Sequence, residues 1–261
     1  MPLHTFHLLR LSPSTSPTQF LTLLRSEASS TIIILASRPQ FLVISPTSLD
    51  ISTFTHKPWD LLLLLQPSSP STPYIPLSLR PHIIDEYTLH VGIPSRIANT
   101  YPAKNASLQS TSPTAPLTNS LFKPILHPSS QNLTLSPSLS TLASSFEKTH
   151  AGPVTQLNLL RFQPSGKESY ATYGREFVRV AGKRGGDAKI VGSVIQKEGE
   201  EGWDEISLVH YPSIRHFCDM LAGEDYQEIN ERYRLPALKD TVLMCTTEGD
   251  LLEEGRGQAK L

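Results

Sequence analysis

The sequence predicts an α+β protein made of two ferredoxin-like βαββαβ units in one chain, the first of them degenerate. Three observations carry this reading. Residues 151–250 show a β-α-β-β-α-β order of periodic segments. Residues 1–95 echo that order through short paired motifs. A composition break separates the two: residues 1–150 hold 18 of the 22 prolines but one glycine of 14, Gly92. The expected division is 1–95 for the degenerate unit, 96–150 for a Pro/Ser/Thr-rich linker with a helix near its end, 151–250 for the second unit and 251–261 for a tail.

The elements of the first part follow in order. His7-Leu-Leu-Arg10 closes a first strand, and Gln19 to Arg25 supplies a helix. Thr31 to Ile44 reads as two short strands or a bent hairpin. Pro58-Trp-Asp followed by Leu61 to Leu65 is a third strand. Prolines 67, 70, 73, 76 and 81 then forbid a regular second helix. Asp85 to His90 closes the unit. The stretch Ala103 to Pro137 has little hydrophobic periodicity and is expected to add little to a core.

The second part reads more cleanly. Val154 to Phe162 is an apolar, β-compatible run. Tyr170, Tyr173, Phe177 and Val180 recur at spacings of 3, 4 and 3, which is one face of a helix. Lys183 to Asp187 releases that helix through a basic, glycine-containing turn. Lys189 to Gln196 and Trp203 to Tyr211 form strands joined by a charged loop. Pro212 ends pairing and Ser213 caps a helix containing Ile214, Phe217, Met220 and Leu221. Glu224 to Tyr233 is helical, and Thr241 to Thr247 is the last strand. The paired motifs are Asn158-Leu-Leu-Arg161 with His7-Leu-Leu-Arg10, and Trp203-Asp204 with Trp59-Asp60.

Charge and composition limit the function classes. The chain has 23 basic and 24 acidic residues, a net charge of −1, and so no electrostatic case for nucleic acid or an anionic membrane. Its longest aliphatic run is far short of the ~20 residues of a membrane span. No leader is evident, and the two cysteines, Cys218 and Cys245, make neither a disulfide framework nor a zinc site. A cytoplasmic protein without a metal or cofactor is the expectation.

The second unit resembles the DUF1330 branch of the dimeric α/β-barrel superfamily. The features are Tyr170-x-x-Tyr173, Trp203-Asp204, Tyr211-Pro212-Ser213, and Tyr226 followed by Arg232. Tyr211 departs from the phenylalanine usual in that family. The resemblance covers about residues 154–248. It implies two sheets packed face to face, here as a fused pseudo-dimer within a monomer or within a homodimer of such chains. It also implies a class containing cofactor-free oxygenases, polyketide cyclases, haem-degrading enzymes and isomerases, without selecting one reaction.

Candidate chemistry centres on His210 and Arg161. Strand alternation puts Asp204, Ile206, Leu208 and His210 on one face, where a neutral imidazole can act as general base. Arg161, in step with Leu157 and Leu159, can hold an anionic oxygen or pair with Asp204. Tyr170, Tyr173, Trp203 and Tyr226 suit a pocket for an apolar, oxygenated molecule or a helical core. Asn158, Ser207, Asp204 and Arg232 complete the expected substrate contacts. Asn158 and Ser207, with Gln156 and Glu205, mark a polar opposite face on the first and third strands of the second unit, which either lines a wet cavity between sheets or is solvated at a rim. The nine histidines show no metal-binding spacing. The expected function is acid/base catalysis of a cyclisation, isomerisation or hydrolytic release on a polyketide-like or aromatic compound. The alternative is a non-catalytic ligand-binding or scaffold protein of the same fold.

Overall fold

The structure is a computed structural model, and it describes residues 3–28, 31–67, 74–196, 199, 201–249 and 251. Apart from Leu251, the expected tail lies outside the described residues. Eight antiparallel strands close into a barrel: β1 (Leu3–Leu11), β2 (Thr31–Ile44), β3 (Leu61–Pro67), β4 (Ile83–Gly92), β5 (Val154–Phe162), β6 (Asp187–Val194), β7 (Glu205–Tyr211) and β8 (Leu238–Thr247). Their order around the barrel is β1-β3-β2-β8-β5-β7-β6-β4. The first four strands therefore lie as 4-1-3-2 and the last four as 8-5-7-6.

The helices are α1 (Pro17–Glu27), α2 (Ile51–Thr55), α3 (Ser95–Thr111), α4 (Pro137–Glu147), α5 (Gly166–Gly182), α6 (Ile214–Leu221) and α7 (Glu224–Ile229). Helix α1 starts at a capping box, in which Ser16 accepts from the Gln19 amide and Gln19 returns a bond to the Ser16 amide. None of the helices described is long and apolar enough to cross a membrane.

Period-two alternation sorts the strand residues between an interior and two outer faces. Phe6, Leu8, Leu62 and Leu64 meet Leu157, Leu159, Ile206 and Leu208 in one cluster inside the barrel. Leu9, Leu11, Leu61, Leu63 and Leu65 face outward, under Phe20, Leu21 and Leu24 of α1. On the other side α4 to α7 cover the outer face of β5, β7 and β8. The middle of the barrel interior is thus a packed apolar core, while the outward-facing residues border the space between sheet and helices.

Several expectations need correction. Thr31 to Ile44 is one 14-residue strand, not a hairpin. Its first half pairs with β3 and its second with β8, with register shifts at 33/35, 39/41 and 42/44. A bulge beside Pro39 accommodates a residue that has no amide proton to give the ladder. The sheets also do not simply stack. They join edge to edge at β2–β8 and, through the short pairing Val91↔Val194 and Gly92↔Ser193 with the Ile195 amide donating to the His90 carbonyl at 2.8 Å, at β4–β6. Gly192 permits that second seam, since a Cβ there would lie 2.6 Å from Val91 Cγ1.

The stretch expected to be a linker is packed. Helix α3 places Ala98 and Tyr101 in the barrel-interior cluster, while Leu133, Leu135 and Leu139 join the core beneath α6 and α7. Apolar residues three apart on α3, and at alternate positions around Thr134, suffice to anchor a segment that is otherwise polar.

The Trp-Asp repeat has a structural meaning. Asp60 accepts the Leu11 amide at 2.8 Å, and Asp204 accepts the Phe162 amide at 2.7 Å. In both, the aspartate's own amide donates back across the strand pair, to Leu9 and to Leu160. Each latch ties the start of the third strand of its run to the end of the first.

Candidate functional site

A cavity of about 360 Å³ lies between α5 and the outer faces of β5, β6, β7 and β8. Its floor is Gln156 and Asn158 of β5, Ser207 and Val209 of β7 and Leu243 of β8. Its roof is Tyr170, Tyr173, Gly174 and Phe177 of α5. Gly174 has no neighbouring atom within 4 Å of a Cβ built there, so its missing side chain leaves open space in the roof. Exposed Lys167, Ala171 and Val178 stand at the mouth beside Glu205.

The polar groups on the floor are placed by register. Asn158 and Ser207 are directly opposite each other across β5 and β7, and Glu205 is two residues before Ser207 on the same face. Glu205 opens the strand beside an otherwise apolar wall. Burial pushes its carboxyl up to about 7; nearby Lys167 opposes the rise and Asp204 adds to it. That carboxyl therefore exchanges its proton near neutral pH.

Gln156 is 1% exposed, and among the described residues neither atom of its amide has a hydrogen-bond partner apart from the weak Cys245 thiol. The adjacent Cys245 thiol, itself held protonated by burial, is a weak neighbour. An unpaired buried amide costs about 1–3 kcal/mol. A ligand oxygen or N–H would recover that energy.

At the inner end, tyrosine hydroxyls gather round one arginine. Tyr173 Oη and Tyr226 Oη are 3.3 Å apart. Burial raises the pKa of Tyr170, Tyr173, Tyr211 and Tyr226, and the Arg234 charge opposes that rise in all four. Arg234 is 1% exposed; no carboxylate pairs with it among the described residues, and its Nη2 has no partner.

The structure divides the expected site residues into two groups. Tyr170, Tyr173, Asn158 and Ser207 line the cavity, with Tyr226 just behind. His210 and Arg161 do not join them, because they lie on the inner face of their strands. His210 is buried at one end of the barrel interior, where Ser112 lies 3.2 Å from its Nε2. Burial, and then the Lys189 charge, lower its pKa to about 4, so it is neutral at pH 7. Beside it Lys189 pairs with Glu248 and also donates to Thr155 at 2.8 Å and Asn105 at 3.0 Å.

Arg161 donates to the Gly202 carbonyl at 2.7 Å and lies 3.4 Å from Asp204. It belongs to the Trp-Asp latch. Trp203 donates to Asp50 at 3.0 Å inside the opposite end of the barrel. Arg232 is exposed over the Tyr233 ring, and the enclosed arginine is Arg234, two residues on. The π-helical turn Asn230–Arg234 changes which residue faces inward, a shift that α-helical spacing does not predict.

Arg234 was not foreseen at this site, whereas Gln156 and Glu205 form with Asn158 and Ser207 the polar strand face expected from the sequence, and all four line the cavity. Glu205 and Gln156 carried a usable signal, as polar residues at alternate positions on strands that are otherwise buried. Among the described residues, the cavity lining contains no histidine, cysteine or methionine. Among the described residues, no group of three or more histidine, cysteine, aspartate or glutamate side chains is arranged to hold a metal ion.

No protein-family model matches the sequence, and no curated protein matches it. Among solved structures the chain is similar to methylated RPA0582 protein, at 28% identity over 39% of this chain and 87% of that one, with a TM-score of 0.33. A second structure, RPA0582 of unknown function from Rhodopseudomonas palustris, gives 27% identity over 40% and 89%, with a TM-score of 0.34. Two mutant chlorite dismutases from Candidatus Nitrospira defluvii match 97% of this chain and 94% of theirs, at 9% and 11% identity and a TM-score of 0.44.

Proposed function

We propose that this chain is an acid–base enzyme for a small, largely apolar, oxygenated molecule, with Glu205 as the group that moves the proton. One observation carries the reading: a carboxyl whose pKa is about 7 stands in the wall of an apolar cavity. A base poised near the working pH combines a useful ionised fraction with a useful driving force. In its ionised form Glu205 removes a proton from the substrate, and in its protonated form it returns one at a second position. Asn158 and Ser207, facing each other on the floor, hold the substrate oxygens. Isomerisation and cyclisation both need only these steps.

We read the chain as a fused pair of ferredoxin-like units, with the second similar to the DUF1330 branch. The repeated strand order and the two Trp-Asp latches support this. We read the working unit as a monomer, or a homodimer of such chains; a barrel closed within one chain supports the former, and the two buried thiols fit a cytoplasmic setting. A binding protein without catalysis is the second reading. It is favoured by the first half, whose outer face is closed by leucine.

Glu205→Gln tests the proposal. With a substrate found by screening oxygenated aromatic and alicyclic compounds, turnover should fall by roughly 10²–10⁴-fold while binding persists. The rate should rise with pH through about 7 in the wild type. Full turnover by Glu205→Gln would remove Glu205 from the mechanism. Tight binding with no turnover of any bound compound would favour the second reading.

A further inference from the structure

Among the described residues three cations are buried almost completely: Arg184, Lys189 and Arg234. The fold supplies carboxylates to two of them. Arg184 pairs with Asp219 at 3.2 Å and Asp225 at 3.0 Å, and Lys189 pairs with Glu248. Arg234 has none. A guanidinium cannot shed its proton in a protein, so Arg234 cannot escape by neutralising, as a buried lysine can. An uncompensated buried charge is among the least favourable things a fold can hold. The neighbouring tyrosines do not supply the missing charge, because burial keeps their hydroxyls protonated.

We propose that Arg234 makes the tyrosine end of the cavity an anion site, and that the ligand is an aromatic or alicyclic acid whose ionised oxygen rests on the Tyr170 and Tyr173 hydroxyls with Arg234 behind them as counter-charge. This rests on the reading of the cavity as a ligand site. Tyr170 and Tyr173 both line the cavity, and both feel the Arg234 charge, so they connect the ligand to the arginine. The π-helical turn turns Arg234 inward, and π turns are frequent at functional sites. One guanidinium and two hydroxyls balance a single negative charge, which selects a carboxylate, phenolate or enolate over a phosphate. The apolar walls, Phe177, Val209 and Leu243, take the rest of the molecule. Arg234 is a positioning residue here: it acts through the tyrosines.

The test uses the full chain and two probes of nearly equal shape, 2-naphthoate and 2-naphthamide, titrated calorimetrically. The wild type should bind the naphthoate at least tenfold more tightly than the amide. Arg234→Met should bring that ratio close to one while leaving the amide's affinity unchanged, and Arg234→Lys should keep part of the preference. Should Arg234→Met fail to fold, the double variant Tyr170→Phe, Tyr173→Phe reads the same contact and should reduce the preference severalfold. Equal binding of the two probes by the wild type, or a preference that survives in Arg234→Met, overturns the anion site while leaving the cavity as a ligand site. Binding of neither probe at millimolar concentration overturns the cavity reading, and the anion site with it.

Discussion

The outer faces of the two halves present the same strand order in two different states. In the first half, β1 and β3 turn Leu9, Leu61, Leu63 and Leu65 outward, and the 11-residue helix α1 seals them with Phe20, Leu21 and Leu24. In the second half, β5 and β7 turn Gln156, Asn158, Glu205 and Ser207 outward where the first half has Thr5, His7, Leu61 and Leu63, and the 17-residue helix α5 spans them without filling the space. A strand order repeated along a chain therefore does not repeat a site. The outward side chains decide whether the layer between sheet and helix is a core or a cavity.

The largest effect should come from forcing the first half toward the second. Leu63 is fully buried, and Leu63→Asn removes its packing and leaves an amide with no partner. Stability should fall by about 3–5 kcal/mol in a urea titration. A loss under ~1 kcal/mol would show that α1 lifts easily, and that the first half hides a cavity of its own.

Sequence and structure agree where a rule acts locally. The Trp-Asp pairs stood out as a repeat because each performs the same latch, an aspartate at the start of one strand accepting an amide from the next. The leucine run from 61 to 65 announced a strand buried on both faces, which is what β3 is. Legibility ended at long-range choices. Nothing local says that β2 passes from one half to the other, or that Tyr101 and Leu133 of a Pro/Ser/Thr-rich stretch anchor in the core. For the site, alternation put His210 on one face and Ser207 on the other correctly. It could not say that the face of His210 is a packed interior while that of Ser207 borders the cavity. Arg232 was named through the Tyr226 and Arg232 resemblance, and the π turn that buries Arg234 instead is not visible in residue spacing.

Forcing the second half toward the first should have a smaller effect, and of opposite sign. Gln156→Leu replaces an unpaired buried amide by an isosteric apolar side chain and should stabilise the empty protein by about 1–2 kcal/mol. Ser207→Leu should fill space at little cost, within ~1 kcal/mol, and abolish binding of any cavity ligand. Denaturation curves with and without ligand check both. A destabilised Gln156→Leu would mean that the amide has a bonded water or ligand in place of the missing partner.

Only the second half should show the titration of Glu205. The carboxyl's pKa is about 7 in the folded state, against 4.5 for an ordinary glutamate. Below about 4.5 both states hold the proton and the group is neutral in its effect. As pH rises from there to about 7, the unfolded chain releases its proton first, so stability falls, and it stays lower above that range. With solvent screening at the mouth the loss should be on the order of 1–2 kcal/mol. Glu205→Gln should flatten this slope, measured as the urea midpoint from pH 4 to 8. An unchanged slope would assign it to another group and leave Glu205 an ordinary surface carboxylate.

The smallest effect sharpens the comparison within the second half itself. Arg232 and Arg234 share one π-helical turn, yet one lies in solvent over Tyr233 and the other among the cavity's tyrosines. An exposed cation over a ring contributes about 0.5–1 kcal/mol at most. Arg232→Ala should therefore shift stability by no more than ~0.5 kcal/mol, the ordinary range for a surface substitution. Affinity for a cavity ligand should be unchanged, since the long-range field of an exposed charge is screened within about 8 Å at physiological salt. Arg234→Met should instead change the charge preference of the cavity. Thermal melts and ligand titrations on the two variants in parallel measure this. An Arg232→Ala protein that lost ligand binding would place the ligand's anion outside the tyrosine cluster, at the exposed end of the turn, and would restore the residue first suggested by the Tyr226 and Arg232 resemblance.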